Sequence, residues 1–110
     1  MSIVEATGAI KYAFIDHAAS GDNEIVAAVA GKKIRVLAWH VTVSGTTTIR
    51  FESSAGGTAL TGQMAGTANA ELTEPWNPCG WFETVAGESL NMELSAAVSV
   101  DGALVYQLIA

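Results

Sequence analysis

The sequence predicts an all-β domain, an antiparallel two-sheet β-sandwich of about eight strands, and three observations carry that expectation. Apolar and polar residues alternate with period two in several separate stretches, the pattern of strands with one buried face. Turn-forming residues recur at intervals of about 8 to 12 positions, the spacing of short strands in a sandwich. No stretch of about ten residues keeps a helical period.

The longest strand-like stretch runs from Lys33 to Ser53 and contains its own turn. Alternation puts Leu37, Trp39, Val41 and Val43 on one face and Ile49 and Phe51 on another, and the two sets are expected to bury together. A two-residue loop at Ser44 and Gly45 would oppose Val41 with Thr48 and split the apolar set. A three-residue loop, Ser44 to Thr46, pairs Val41 with Ile49 and Trp39 with Phe51, so the stretch reads as a hairpin with the odd-length loop.

The remaining elements follow in order. Residues 1–9 show little period and read as an arm outside the sandwich, which itself spans residues 10–110. Ile10, Tyr12 and Phe14 alternate with Lys11 and Ala13, giving a first strand with a largely aromatic inward face. His17 to Asn23 reads as a turn through Gly21 and Asp22, and Ile25 to Val29 as the next strand. Ser53 to Ala70 is dominated by small residues and reads as a long connection with one short strand near Thr58 to Thr61. Leu72 to Val85 holds both prolines, two of the three tryptophans and the only cysteine. Pro75 and Pro78 there bracket a rigid, irregular corner, after which Gly80 to Val85 resumes a strand. Leu90, Met92 and Leu94 alternate with Asn91 and Glu93 in a half-buried strand. Asp101-Gly102 is a strong hairpin signal between Val98–Val100 and Ala103–Ile109. The predicted core is therefore Leu37, Trp39, Val41, Ile49, Phe51, Leu90, Met92 and Leu94.

One internal echo stands out. Val29-Ala30-Gly31 leading to Ile34 and Val36 matches Val85-Ala86-Gly87 leading to Leu90 and Met92. Both enter a strand through a glycine corner, either as two ordinary turns of one type or as equivalent corners of a jelly roll.

Composition limits the function classes. A chain of 110 residues supports one core. Half of its residues are apolar and only 15% are charged, against roughly 25% in average soluble domains. An Ala- and Gly-rich core accounts for that excess, or else a self-associating surface does. The formal charge of −6 opposes nucleic-acid binding, which needs clustered Lys and Arg; Lys32, Lys33 and Arg35 form the one basic group and read as a solvated strand edge. A single cysteine, Cys79, permits no internal disulfide. No apolar run approaches a membrane span, and the start MSIVEATG lacks the pattern of a secretory signal, so a chain made in a cytoplasm is expected.

Candidate chemistry is sparse. His17 lies beside Asp16 in an expected loop, and His40 lies on the strand face opposite Trp39; neither has a catalytic partner in sequence. Cys79 has no metal-like spacing and reads as a buried or half-buried inert thiol. Asp22, Asn23 and Glu24 lack the spacing of a calcium loop. No catalytic residue, cofactor or metal is expected. Trp76, Trp81 and Phe82 are the candidate contact residues, serving either subunit packing or the stacking of sugar rings.

Several pieces resemble small structural proteins of tailed bacteriophages. They are Gly21-Asp22-Asn23; Val29 to Leu37, VAGKKIRVL; Gly56 to Gly62, GGTALTG; Asn77-Pro78 followed by Gly80 to Thr84, GWFET; and Ala86 to Asn91, AGESLN. The likeness spans roughly residues 10 to 108. It implies a jelly-roll-like sandwich on the outer surface of the capsid, a head decoration or cement protein that contacts the major capsid protein. Cys79 departs from the small residue of similar sequences. With the apolar excess, a homo-oligomer is expected, a trimer suiting the threefold positions of an icosahedral lattice. The alternative is a virion-displayed glycan-binding adhesion module, or a tail or fibre component.

Overall fold

The computed structural model describes residues 9–110, and the expected arm lies outside them except for Ala9. Ten strands form two antiparallel five-stranded sheets packed face to face. The first sheet contains β1 (Lys11–His17), β10 (Val100–Ile109), β3 (Lys33–Val43), β7 (Ala70–Glu74) and β8 (Phe82–Glu83). The second contains β2 (Gly21–Val26), β9 (Leu90–Leu94), β4 (Thr47–Ser53), β5 (Thr58–Ala59) and β6 (Met64–Gly66).

Ten segments occupy eight strand positions. Strands β7 and β8 lie end to end along one edge of β3, facing Trp39–Val43 and Arg35–Val36 respectively. Strands β5 and β6 do the same along β4, facing Glu52–Ser53 and Thr47–Ile49. The pairings are nested, β1 with β10, β2 with β9, β3 with β7 and β8, and β4 with β5 and β6.

The Lys33–Ser53 stretch is not a hairpin. Strand β3 belongs to the first sheet and β4 to the second, and Ser44–Thr46 is a corner carrying the chain between them. The expected partners nevertheless meet, because both apolar rows face the same core. Trp39 and Phe51 contact edge to face at 5.1 Å between ring centroids, across the sandwich and not along a ladder. Every predicted core residue is buried. Leu37, however, sits where the β3–β10 register slips between Val105 and Tyr106, and it lies outside the main core cluster. That bulge shifts the inward row, so Ile34 and Val36 join Trp39, Val41 and Val43.

Strand β1 faces the opposite way from expectation. Ile15 is buried, whereas Tyr12 is 74% and Phe14 86% exposed. Asp101-Gly102 also makes no turn; it lies inside β10, with Gly102 opposite both Ile15 and Val41. A Cβ there would collide with the His40 carbonyl, so this glycine serves close strand approach. The turn after β1 shrinks to Ala18–Ser20, with Gly21 already in β2, which ends at Val26 and not at Val29. The small-residue stretch Ser53 to Ala70 holds two short strands, not one.

The internal echo is structural. Gly31 and Gly87 have φ of 72° and 81°, and each is the third residue of a turn closed by the same type of bond, Lys32 N–H to Val29 O and Glu88 N–H to Val85 O. Each corner carries the chain from one sheet to the other. They also touch, Gly87 N–H donating to Lys32 O at 2.8 Å.

Candidate functional site

Two features present apolar surface to solvent. The first is a cleft of about 590 Å³ at the edge of the sandwich opposite β1 and β2. Its origin lies in the two broken edge strands. Along β3 the break between β7 and β8 falls at Leu37 and Ala38, and along β4 the break between β5 and β6 falls at Arg50 and Phe51. Trp39 and Phe51, in edge-to-face contact, lie behind these gaps, so both edges open at one height.

The corner that breaks the first edge is built by Asn77. Its backbone N–H donates to Leu37 O at 2.8 Å, its Oδ1 accepts from Cys79 N–H at 3.0 Å, and Gly80 N–H returns to its carbonyl at 2.9 Å. Gly80, at φ 83°, passes close over Arg35, and Trp81 N–H then rejoins Val36 O at 2.8 Å. The Trp81 indole donates through Nε1 to Pro75 O at 2.8 Å, which fixes the ring across the corner. The second edge is broken by Leu60 and Thr61: Leu60 N–H donates to Phe51 O, and the Thr61 hydroxyl accepts from Phe51 N–H.

Trp81 and Phe82 line the cleft with Leu60, Met64 and Leu72, and Thr61, Glu74, Glu71 and Thr73 border it, the last two from outward-facing positions of β7. Trp39 lines it as well, 5% exposed, and its Nε1 has no hydrogen-bond partner. Of the predicted contact residues, the structure brings Trp81 and Phe82 to this cleft. Trp76, 55% exposed, does not line it.

The second feature is the outer face of the first sheet. Phe14 pairs with Ala103 and then His40, and Tyr12 pairs with Val105 and then Ala38. These residues form a broad apolar surface with a shallow trough of about 300 Å³. Beside it runs a row of Asp16, Asp101, Thr42 and Glu71 on neighbouring strands. The Asp101 carboxyl is raised above the usual aspartate range, first by a hydrogen bond with Asp16 and then by desolvation.

A third cluster lies on the second sheet, where Asp22, Glu52 and Glu93 bring carboxylate oxygens within 4.8 Å of one another. The Arg50 guanidinium occupies this group, at 2.9 Å from Glu93 and 3.3 Å from the fully buried Glu52. Burial, and then a hydrogen bond with Asp22, raise the Glu52 carboxyl above the usual range. The cluster is a partly buried ion-pair network with its own cation. Asn23 donates to backbone carbonyls, including Ala19 O at 2.9 Å, and Glu24 is exposed.

Cys79 is exposed, contrary to the buried thiol expected, because the Asn77 turn projects its residue outward. His40 is exposed on the outer face, and His17 ends β1 half-buried. Lys33 and Arg35 both reach Glu83, at 3.8 and 3.1 Å, so they join β3 to β8 instead of guarding a free edge. Among the described residues no helix is long and apolar enough to cross a membrane.

Sequence reasoning missed Tyr12 and Phe14 as surface residues and Leu60, Met64, Leu72 and Glu74 as cleft residues. The signal for β1 was Ile15, an apolar residue in the opposite phase from Tyr12 and Phe14. Compared with known proteins, the chain matches no family model, no curated protein and no solved structure.

Proposed function

We propose that this protein is a non-enzymatic structural component of a phage virion, a jelly-roll-like decoration protein that self-associates and docks on the major capsid lattice. One observation carries the reading: the aromatic side chains of β1 lie on the outer face of the first sheet, beside Ala103, Val105 and Ala38. Burying two aromatic rings removes on the order of 250 Å² of apolar surface from water, about 6 kcal/mol per protomer before the costs of association. That is a strong incentive for a contact between copies. The nested strand pairing supports the jelly-roll part of the reading.

A closed trimer buries this face without leaving open ends for fibre growth, and it fits a local threefold position. Such a ring stabilises a shell by binding its assembled form and not its dissociated subunits. Many modest contacts repeated around a lattice add up. The acidic surface keeps free subunits soluble before they dock.

Two measurements test this. Light scattering is expected to give a mass about three times the 11.4 kDa of one chain; a strict monomer at micromolar concentration refutes the trimer. Particles lacking the protein are expected to assemble but to lose their genome at lower temperature. If they are equally robust and instead fail to adsorb to cells, the protein is a displayed adhesion module, the reading that the exposed Trp81 beside the cleft favours.

A further inference from the structure

We infer that the edge cleft receives a second copy of this chain: Phe14 of a neighbouring protomer enters it, so that copies join head to tail, the β1 end of one in the cleft end of the next. The inference rests on the self-association proposed above and names the surface that takes up the β1 aromatics.

Symmetry sets the requirement. Two copies that join β1 to β1 use one patch twice and stop at a pair, whereas a threefold ring needs two different patches on every chain, each fitting the other. The described residues offer a convex and a concave apolar feature. The convex one is Phe14 with Tyr12, both exposed on the outer face of β1. The concave one is the cleft, whose volume of about 590 Å³ is on the scale of sites that enclose small organic ligands and is sufficient for an aromatic side chain.

The cleft is an unfinished part of the core. Met64 stands opposite Ile49, Leu72 opposite Val41 and Phe82 opposite Val36, so all three belong to inward rows. With Leu60 they pack on the core yet remain half-buried, because the broken edge strands leave them uncovered. A ring placed among them completes their burial, at about 25 cal/mol for each Å² of apolar surface removed from water. A polar ligand finds little to bind there, since the Trp39 indole nitrogen is sealed from solvent and Thr73 and Glu71 point outward.

Area favours the same arrangement. The two β1 rings bury on the order of 250 Å², well short of the roughly 800 Å² per partner of a standard interface. The outer-face trough extends the surface: it begins at Tyr12, crosses Val105 and Ala38, and ends at Thr73 and Glu74, which border the cleft as well. The β1 aromatics, the trough and the cleft thus form one continuous band across the first sheet. In a closed ring the β1 end meets one neighbour, the cleft end receives the other, and the trough between them faces the axis. A pair joined through β1 alone would leave the cleft end open.

The receiving surface is held before contact. Trp81 Nε1 donates to Pro75 O, and the Phe82 ring lies 5.2 Å from that of Phe51, so little rotamer freedom is lost on docking.

The test uses the whole protein at about 0.15 M salt, where the outer-face carboxylates are screened beyond about 8 Å. Chains with labelled methyl groups are mixed with chains carrying protonated phenylalanine in a deuterated background, and nuclear Overhauser contacts between chains are recorded. Phe14 is expected to contact the methyl groups of Leu60, Met64 and Leu72 of another chain. Met64→Glu is expected to yield a folded monomer, and Trp81→Ala to weaken association at least about tenfold. Contacts that join Phe14 only to β1 or Ala103 of another chain overturn the inference, as does an oligomer that both cleft variants leave intact; self-association itself survives either result. A native protein that is a strict monomer removes the self-association reading and this inference with it.

Discussion

Glu52 has no solvent exposure, shares Arg50 with Glu93 and meets the carboxyl of Asp22. Arg50 opposes protonation, but its closer partner is Glu93, and burial with the Asp22 contact dominates at Glu52. A carboxyl whose folded pKa is raised stabilises the fold while both states are protonated. That contribution is lost as pH rises from the ordinary glutamate range through the raised folded value. Glu52→Gln should therefore match the native protein in melting temperature at pH 4 and exceed it at pH 7; equal melting at both would show that Arg50 balances the charge. Gly102→Ala should act through sterics instead, driving a methyl group into the His40 carbonyl. A loss of about 3 kcal/mol, or on the order of 10 °C in melting temperature, is expected. At this scale the core residues were legible, since large apolar side chains in period two have few other uses. Gly102 was misread because Asp-Gly is equally a turn and a close strand approach, and only the neighbouring strand decides which.

Individual strands were easier to find than to place. The alternation of Trp39, Val41, Ile49 and Phe51 fixes which side chains meet, but it is the same whether β3 and β4 share a ladder or face each other across the core. The sheet assignment depends on whether Ser44–Thr46 folds back or crosses, and its Ser44 N–H goes to Ser99 O, a partner far away in sequence. Strand β1 shows the complementary failure. Tyr12 and Phe14 outweigh Ala13 and Ile15 in hydrophobicity, so an argument from burial turns the strand the wrong way. The structure turns it by fitting Ile15 opposite Gly102, where the missing side chain leaves room. The outward aromatics then bear a prediction of their own. Replacing Tyr12 and Phe14 by Ser should leave the unfolding free energy of the isolated domain within about 1 kcal/mol of the native value, because both are exposed. Self-association should fall to monomer in the same variant. Unfolding instead would show that these rings pack within one chain.

For the molecule as a whole, the decisive fact is that nearly every strand pairs with one distant in sequence, the first with the last and the second with the ninth. The cleft was illegible for the same reason: it needs the Pro75–Trp81 corner and the Leu60–Thr61 break at one height, and their alignment exists only after the two sheets are stacked. Nested pairing also makes folding depend on the C-terminal strand. Strand β10 lies between β1 and β3, and its removal would leave β1 without a partner and expose one side of β3 along its whole length. Val100, Leu104 and Ile109 would leave the core with it, and burial of Ile15, Val41 and Val43 would fail in turn. A chain ended at Ser99 should therefore lack dispersed amide and methyl signals by NMR, although most of its strand-forming sequence is intact. The full chain should refold slowly, in milliseconds to seconds, because loop closure must precede most of its contacts. Restoring residues 100–110 as a separate peptide provides the sharper measurement. If β10 completes the first sheet, the peptide should bind the truncated chain and recover the dispersed spectrum; a truncated chain that is already folded would show that the second sheet and β3 form a core by themselves.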